Sequence, residues 1–361
     1  NDKYLAKHFS QGAAIAGVGI LWDLAGDDTY SAHAFNQGAG AFGTGLLLDD
    51  SGNDKYDSAT LGQGGATTMG IGLLSDLAGD DEYGLAVTKG KDRLGSAGYG
   101  QGGALSWRDL PWWGSLTAYG GAGVLVDADG DDKYVTKGWC DQGGSYIMSL
   151  GALYDHAGND SYKANTGQGS GIHITNAILI DRAGDDKYRG GFRTGAAGGD
   201  RSPGILIDYS GNDEYRSSKA GYGNGCKPFS FSLFIDYEGD DKYVTKRPKD
   251  KILFNDWDSF GGVWPESEPY NWPYAMCLDL DGEDSYEVRN RANDSERHSM
   301  GHGIHLDTKW GGGDVIGTVE PPNRDFEQEN INVADSQDPY ERLTSPDNFE
   351  RFNAVGEIAE D

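Results

Sequence analysis

Short apolar runs recur along this chain, each preceded by a small residue and followed by an aspartate. Two residues before that aspartate stand Leu21, Leu47, Leu74, Leu125, Leu153, Leu179, Leu206, Phe234 and Cys277, apolar in every case. One place earlier stand Ile20, Leu46, Leu73, Val124, Ala152, Ile178, Ile205, Leu233 and Met276, each after a glycine, alanine or serine. Runs this short, bounded by glycine-rich turns, predict strands buried on both faces. No stretch carries a 3.6-residue apolar stripe, and the interval between runs is too short for a strand, a helix and a second strand. One coil per run, with equivalent strands stacked about 4.8 Å apart, is the economical arrangement. Consecutive apolar positions set a further expectation, because successive strand residues face opposite ways. With the Leu21 series inward, Ile20/Trp22, Leu46/Leu48, Val124/Val126, Ile178/Ile180, Ile205/Ile207 and Leu233/Ile235 face outward. They would form an apolar stripe about 40 Å long. A stripe of that size is expected to be covered, by a partner subunit or by the C-terminal tail.

The aspartate ending each run opens an octapeptide, Asp-x-x-Gly-(Asp/Asn/Glu)-Asp-x-Tyr, that occurs nine times. It begins at Asp23, Asp49, Asp76, Asp127, Asp155, Asp181, Asp208, Asp236 and Asp279. Asn1-Asp2-Lys3-Tyr4 is the tail of a tenth copy, and most closing tyrosines lie 26 to 28 residues apart. A fixed period in this range signals a repeat architecture in which each unit buries its apolar face against the next. The predicted fold is therefore all-β, a parallel β-solenoid or β-helix of about ten coils of 26–28 residues. Residues 1–317 form the repeat domain, with insertions at about 84–121 and 248–274, and residues 318–361 form an acidic, non-repeat tail. Because the chain opens inside a motif, upstream coils or a neighbouring subunit are expected to stack on residues 1–20, with the N-terminus lost to processing.

The formal charge of −28 argues against nucleic acid and anionic membranes as partners. No stretch is long and apolar enough to span a membrane. Glycine makes up 57 of 361 residues without a collagen period, which suits tight turns and close backbone approach. Cys140, Cys226 and Cys277 are too few for a disulfide framework and read as buried thiols.

Strict placement of the acids turns the charge into chemistry. The motif glycine supplies a positive φ, and the turn presents the first, fifth and sixth positions close together. Stacked coils repeat those carboxylates every few ångströms, so without a counter-ion they repel. The first and sixth positions are aspartate in all nine copies, whereas a merely solvated turn would tolerate Glu, Ser or Lys there. The candidate metal ligands are thus Asp23 and Asp28, Asp49 and Asp54, Asp76 and Asp81, and Asp127 and Asp132. The series continues with Asp155 and Asp160, Asp181 and Asp186, Asp208 and Asp213, Asp236 and Asp241, and Asp279 and Asp284. Several Ca²⁺ ions are the expected cofactor, since calcium accepts six to eight oxygen ligands flexibly while Mg²⁺ demands a strict octahedron.

The segments "SGNDKYDS", "AGNDSYKA" and "SGNDEYRS" resemble the nonapeptide turns of the haemolysin-type (RTX) calcium-binding β-roll, Gly-Gly-x-Gly-x-Asp-x-apolar-x. The resemblance implies that Asp54, Asp160 and Asp213 bind calcium between coils and that Tyr56, Tyr162 and Tyr215 point inward. It implies one row of ions along a single edge. Two departures limit it: the leading Gly-Gly is absent, and one half-turn occurs per coil instead of two per 18 residues.

Gln11, Gln37, Gln63, Gln101, Gln142 and Gln168 form a second series, read as an amide ladder along the axis. Gly38, Gly40 and Gly43 spell GxGxxG, but no helical pattern follows, so dinucleotide binding is rejected. His298, His302 and His305 lie in a degenerate last coil ending at Asp307, and strand alternation separates 302 from 305. The insertions carry Trp107, Trp112, Trp113, Trp257, Trp264 and Trp272, candidates for binding a glycan or a protein partner. Two functional classes follow. The first is a secreted, calcium-stabilised structural, adhesive or binding subunit of an extracellular or cell-surface assembly. Its partners would be protein subunits, held through the apolar strand face or the exposed solenoid end, or a polysaccharide. The second is a carbohydrate-active enzyme, a polysaccharide lyase or glycoside hydrolase with a groove near the tryptophan loops, which rests on fold analogy. No catalytic residue stands out, and the balance leans against an enzyme.

Overall fold

The structure, a computed structural model, describes residues 1–85, 98–106, 119–191, 193–218, 222–225, 229–245, 261, 273–287, 296–299 and 303–308. Three sheets run along one axis. Through Gly198–Gly199 each coil contributes one strand to each sheet in turn, as in Thr44–Asp49, Lys55–Ser58 and Ala66–Thr67, and later coils contribute to the first two sheets. The first strand carries the apolar run into an eleven-stranded sheet, the leucine sheet. The second carries the motif tyrosine into a ten-stranded sheet, the tyrosine sheet, and the third enters a seven-stranded sheet of two-residue strands. Pairing is parallel and keeps repeat positions in register, for example Leu46↔Leu73, Leu47↔Leu74 and Tyr56↔Tyr83. The all-β parallel solenoid expected from the period is what the chain adopts.

Two columns fill the interior. Leu47, Leu74, Leu125, Leu153, Leu179, Leu206, Phe234 and Cys277 are buried beside Tyr30, Tyr56, Tyr83, Tyr134, Tyr162, Tyr188, Tyr215 and Tyr243. From Tyr4 to Tyr286 the ten motif rings stack face to face, with centroids 4.6–5.2 Å apart. Strand spacing sets that distance, which suits offset aromatic stacking.

The apolar strands are not buried on both faces as their composition suggests. Leu46, Leu48, Val124, Val126, Ile178, Ile180, Ile205 and Ile207 alternate with the buried leucines and are only partly covered. The physical reason is the pleat: a solenoid has one interior, so half of a consecutive apolar run must face out.

Glycine at the fourth motif position is required twice over. Its φ lies between +138° and +155° in the nine copies. A Cβ on Gly158 would also sit 1.6 Å from the carbonyl oxygen of Gly130 in the preceding coil. At the far end, Gly303–Asp307 pairs in parallel register with Tyr274–Asp279, placing Asp307 beside Asp279. This is the degenerate last coil read from the sequence. Glu296–Ser299 then pairs antiparallel with it, a departure from the parallel stacking.

Candidate metal centre

Each acidic turn joins a leucine-sheet strand to a tyrosine-sheet strand, and stacking sorts its three acidic positions. The sixth-position aspartates point inward and form a ladder. Each offers Oδ1 to the backbone N–H of its counterpart one coil earlier: Asp54 N–H donates to Asp81 at 2.6 Å, Asp132 N–H to Asp160 at 2.6 Å, and Asp213 N–H to Asp241 at 2.7 Å. From Asp49 onward the first-position aspartates are buried beside them. From Asp23 to Asp236 each accepts a tyrosine hydroxyl from the preceding motif, as in Tyr30 to Asp49, Tyr83 to Asp127 and Tyr134 to Asp155, all at 2.6 Å. Asp279 accepts that of Tyr286 in its own motif, at 3.1 Å.

The second oxygen is also engaged in some carboxylates, as where Ala78 and Ala183 N–H donate to Oδ1 of Asp76 and Asp181, but in others it is left over and forms a row. Oδ2 of Asp28, Asp54, Asp132, Asp160, Asp186 and Asp241 accepts no hydrogen bond and is shut off from solvent. The same holds for Oδ1 of Asp127, Asp155, Asp208, Asp236 and Asp279. Buried polar atoms in native proteins are almost always satisfied, so each of these demands a partner.

Stacking gathers them in threes. A sixth-position aspartate joins the first and sixth positions of the next coil: Asp28, Asp49 and Asp54; Asp54, Asp76 and Asp81; Asp81, Asp127 and Asp132; Asp132, Asp155 and Asp160; Asp160, Asp181 and Asp186. Within each trio the candidate ligand atoms lie within 4.8 Å of one another. Two oxygens bound to one calcium at about 2.3–2.6 Å can be at most about 5 Å apart, so the spacing fits. Five such trios and three further groups make eight among the described residues, as many as the gaps between nine motif copies.

Burial is the main electrostatic consequence. Desolvation, reinforced by neighbouring carboxylates, pushes Asp54, Asp160, Asp213 and Asp241 up to about 8, although the ladder N–H bonds pull the other way. Asp81 is raised to about 10, Asp76 to about 7 and Asp127 to about 6, each chiefly by burial. Asp155, Asp208 and Asp236 are held well above the usual carboxylate range for the same reason. At the first coil Asp23 is instead lowered, by the Tyr4 hydroxyl.

The fifth position does not belong to this row, contrary to the expectation that all three acids converge. Asp27, Asn53, Asp80, Asp131, Asn159, Asp185, Asn212 and Asp240 have exposed side chains forming a second ladder of opposite sense. Here the side chain accepts the N–H of the next coil, as in Asn159 N–H to Asp131 at 2.8 Å and Asp185 N–H to Asn159 at 3.0 Å. A strand-like backbone points the fifth and sixth side chains to opposite sides.

The glutamines also differ from an amide ladder. Gln63 donates through Nε2 to the carbonyls of Tyr56 at 2.8 Å and of Gly84, one coil on, at 2.9 Å; Gln37 does the same to Tyr30 and Asp57. A left-handed backbone at each glutamine, φ +48° to +55°, aims the amide inward at main chain instead of at its stacked neighbour. The tyrosine hydroxyl was the missed member of the site, since the repeat marks its ring position but not its bond.

The remaining candidates separate cleanly. Trp107, Trp112, Trp113, Trp257, Trp264, Trp272, His302 and Cys226 lie outside the described residues. Cys140 and Cys277 are buried free thiols. His305 occupies an inward position in register with Cys277, against the Tyr286 ring. Gly38, Gly40 and Gly43 belong to turns and short strands of one coil, with no helix after them. No helix among the described residues is long and apolar enough to cross a membrane. Comparison with protein-family models, curated proteins and solved structures finds no match for this chain.

Proposed function

We propose that this protein is a calcium-stabilised solenoid serving as a structural or binding subunit of an extracellular or cell-surface assembly. The row of buried carboxylate oxygens that accept no hydrogen bond carries the reading. Charge balance supports calcium further. Asp54, Asp81, Asp132 and Asp160 are each shared by two successive trios, so every further coil adds two carboxylates and one trio. One divalent cation per coil therefore neutralises the row. A protein held together this way suits a compartment where free calcium is plentiful, and that supports an extracellular setting. Turns of the haemolysin type would bind calcium in the same between-coil manner, here at one row of sites.

Chelation tests it. Ions bound only by the folded state stabilise it by mass action. Exhaustive EDTA treatment should release about eight calcium ions per chain, the number of groups, and lower the melting temperature sharply. Asp160→Asn separates an ion from shared protons. In calcium it should melt lower than the parent, because a ligand charge is lost. In chelator it should melt at or above the parent, because a buried like charge is removed. Unchanged melting in chelator, with no metal in the purified protein, would sink the proposal.

A further inference from the structure

A groove of about 300 Å³ crosses the C-terminal ends of four consecutive tyrosine-sheet strands, Lys133–Thr136, Ser161–Ala164, Lys187–Gly190 and Glu214–Ser217. Its charge runs against the rest of the molecule. Lys137, Lys163, Arg189 and Arg216 line it, with Asn165 and Ser218 between them, and its lining includes no carboxylate, imidazole or aromatic ring. Gly190 and Gly191 also line it, and a side chain at Gly190 is excluded from within, because its Cβ would fall 2.0 Å from the Thr194 hydroxyl.

Acids outnumber bases 58 to 30 in this chain, so an exposed cation readily finds a carboxylate. Lys55, Lys133 and Lys242 do so, and Arg216 is held by Glu214 at 2.5 Å. Lys137, Lys163 and Arg189 are exposed and make no ion pair among the described residues. Register aligns part of the set: Lys163 lies opposite Arg189, and Arg189 opposite Arg216. Successive cations are therefore offset by about 4.8 Å along the axis, and the groove spans about 14 Å.

From this geometry we infer that the groove binds an extended anionic polysaccharide, its uronate carboxylates meeting Lys137, Lys163 and Arg189 on successive coils. The offset is comparable to the rise of one pyranose residue along an extended glycan. Asn165 and Ser218, both exposed, offer hydrogen-bonding groups suited to sugar hydroxyls. Nucleic acid fits worse on two counts. Duplex DNA carries a charge about every 1.7 Å and meets a chain of net charge −28. Single strands are usually held by aromatic stacking platforms, and no ring lines this groove. The site does not depend on the calcium reading.

The test is a binding titration of the full chain with an oligouronate of about six residues, in calcium-containing buffer at low and moderate salt. A neutral oligosaccharide of the same length and a single-stranded DNA oligomer serve as comparison ligands. The oligouronate should bind with an affinity that falls as salt rises, while the neutral sugar should not bind. Lys163→Glu/Arg189→Glu should weaken the oligouronate by about tenfold or more, and Lys7→Gln, at an exposed lysine of the first coil, should leave it unchanged. Melting temperature checks that each variant is folded; should the double glutamate variant not fold, Lys163→Gln/Arg189→Gln replaces it. Absence of oligouronate binding, equal binding by parent and groove variants, or tighter binding of the DNA would each overturn the inference.

Discussion

At the residue scale the motif tyrosine joins packing to chemistry. Tyr134 lies between the rings of Tyr83 and Tyr162, 4.8 Å from each, and donates its hydroxyl to Asp155 at 2.6 Å. Burial holds the phenol well above its ordinary pKa, so it stays a donor at any pH the fold survives. Tyr134→Phe keeps the ring and the stack but strips a buried carboxylate of its donor, a loss of about 1–3 kcal/mol. The calcium-loaded variant should melt several degrees lower, with its solenoid circular dichroism intact; an unchanged melting temperature would mean that the ring alone matters. The inward position of this residue is legible from the repeat. Its partner is not, because Asp155 lies 21 residues on and meets the phenol only once coils are stacked in register. The fifth and sixth positions pose a similar problem, since both read as acid. One signal was present: the sixth is always Asp, whereas the fifth admits Asn and Glu. A residue that need only accept an N–H tolerates Asn53, Asn159 and Asn212; one that offers a second oxygen to the buried row does not.

At the element scale, the acidic turn is two ladders back to back, one wet and one dry. Asp and Asn partly alternate in the outer ladder, so that Asn159 donates an amide to Asp131 and Asn212 donates to Asp185. The backbone N–H groups of Asn159 and Asn212, joined by these amides, keep both aspartates below the usual carboxylate range. The dry ladder behaves oppositely. Burial raises Asp127 to about 6, Asp76 to about 7, Asp54 to about 8 and Asp81 to about 10, from an ordinary value of 3.8. Between about pH 4 and the raised values the folded chain therefore binds more protons than the unfolded one, and stability falls as pH rises through that window. The metal-free protein should be most stable near pH 4 to 5 and weaken steadily toward pH 8. Calcium replaces those protons, so added calcium should restore more stability at pH 8 than at pH 5. Melting curves at both pH values, with calcium and with chelator, check this; metal-free protein that is most stable at pH 8 would contradict it. Strand and turn order were readable because period and patterning agree, while the glutamine geometry was not. A left-handed backbone at a non-glycine residue leaves no mark in composition, and it turned an expected amide ladder into bonds from amide to main chain.

At the scale of the whole molecule, surface chemistry differs from side to side. The leucine sheet shows its outward row of Leu, Val and Ile, partly exposed from Leu46 to Ile235. The ends of the tyrosine sheet carry the basic groove, and the acidic turns carry most of the ordered negative charge. The groove was legible only in retrospect: "YKA", "YRG" and "YRS" place a cation directly after the tyrosine in three consecutive copies, a coincidence that means little until parallel register stacks them. The apolar row was legible at once, because alternation forces it outward. Soluble monomers rarely leave a stripe about 40 Å long bare, and in the assembly proposed here a partner subunit covers it. Ile178, Ile180, Ile205 and Ile207 sit in two adjacent strands at the centre of that row. Replacing all four with Thr keeps β-branched residues on the outward face and leaves Leu179 and Leu206 packed inside. Sedimentation velocity should show the parent chain self-associating, or bound to its native partner, and the variant shifted to the monomer or released. The calcium-dependent melting temperature should change by only a few degrees, which separates a weakened contact from a weakened fold. Unaltered association in a folded variant would move the contact away from the leucine sheet.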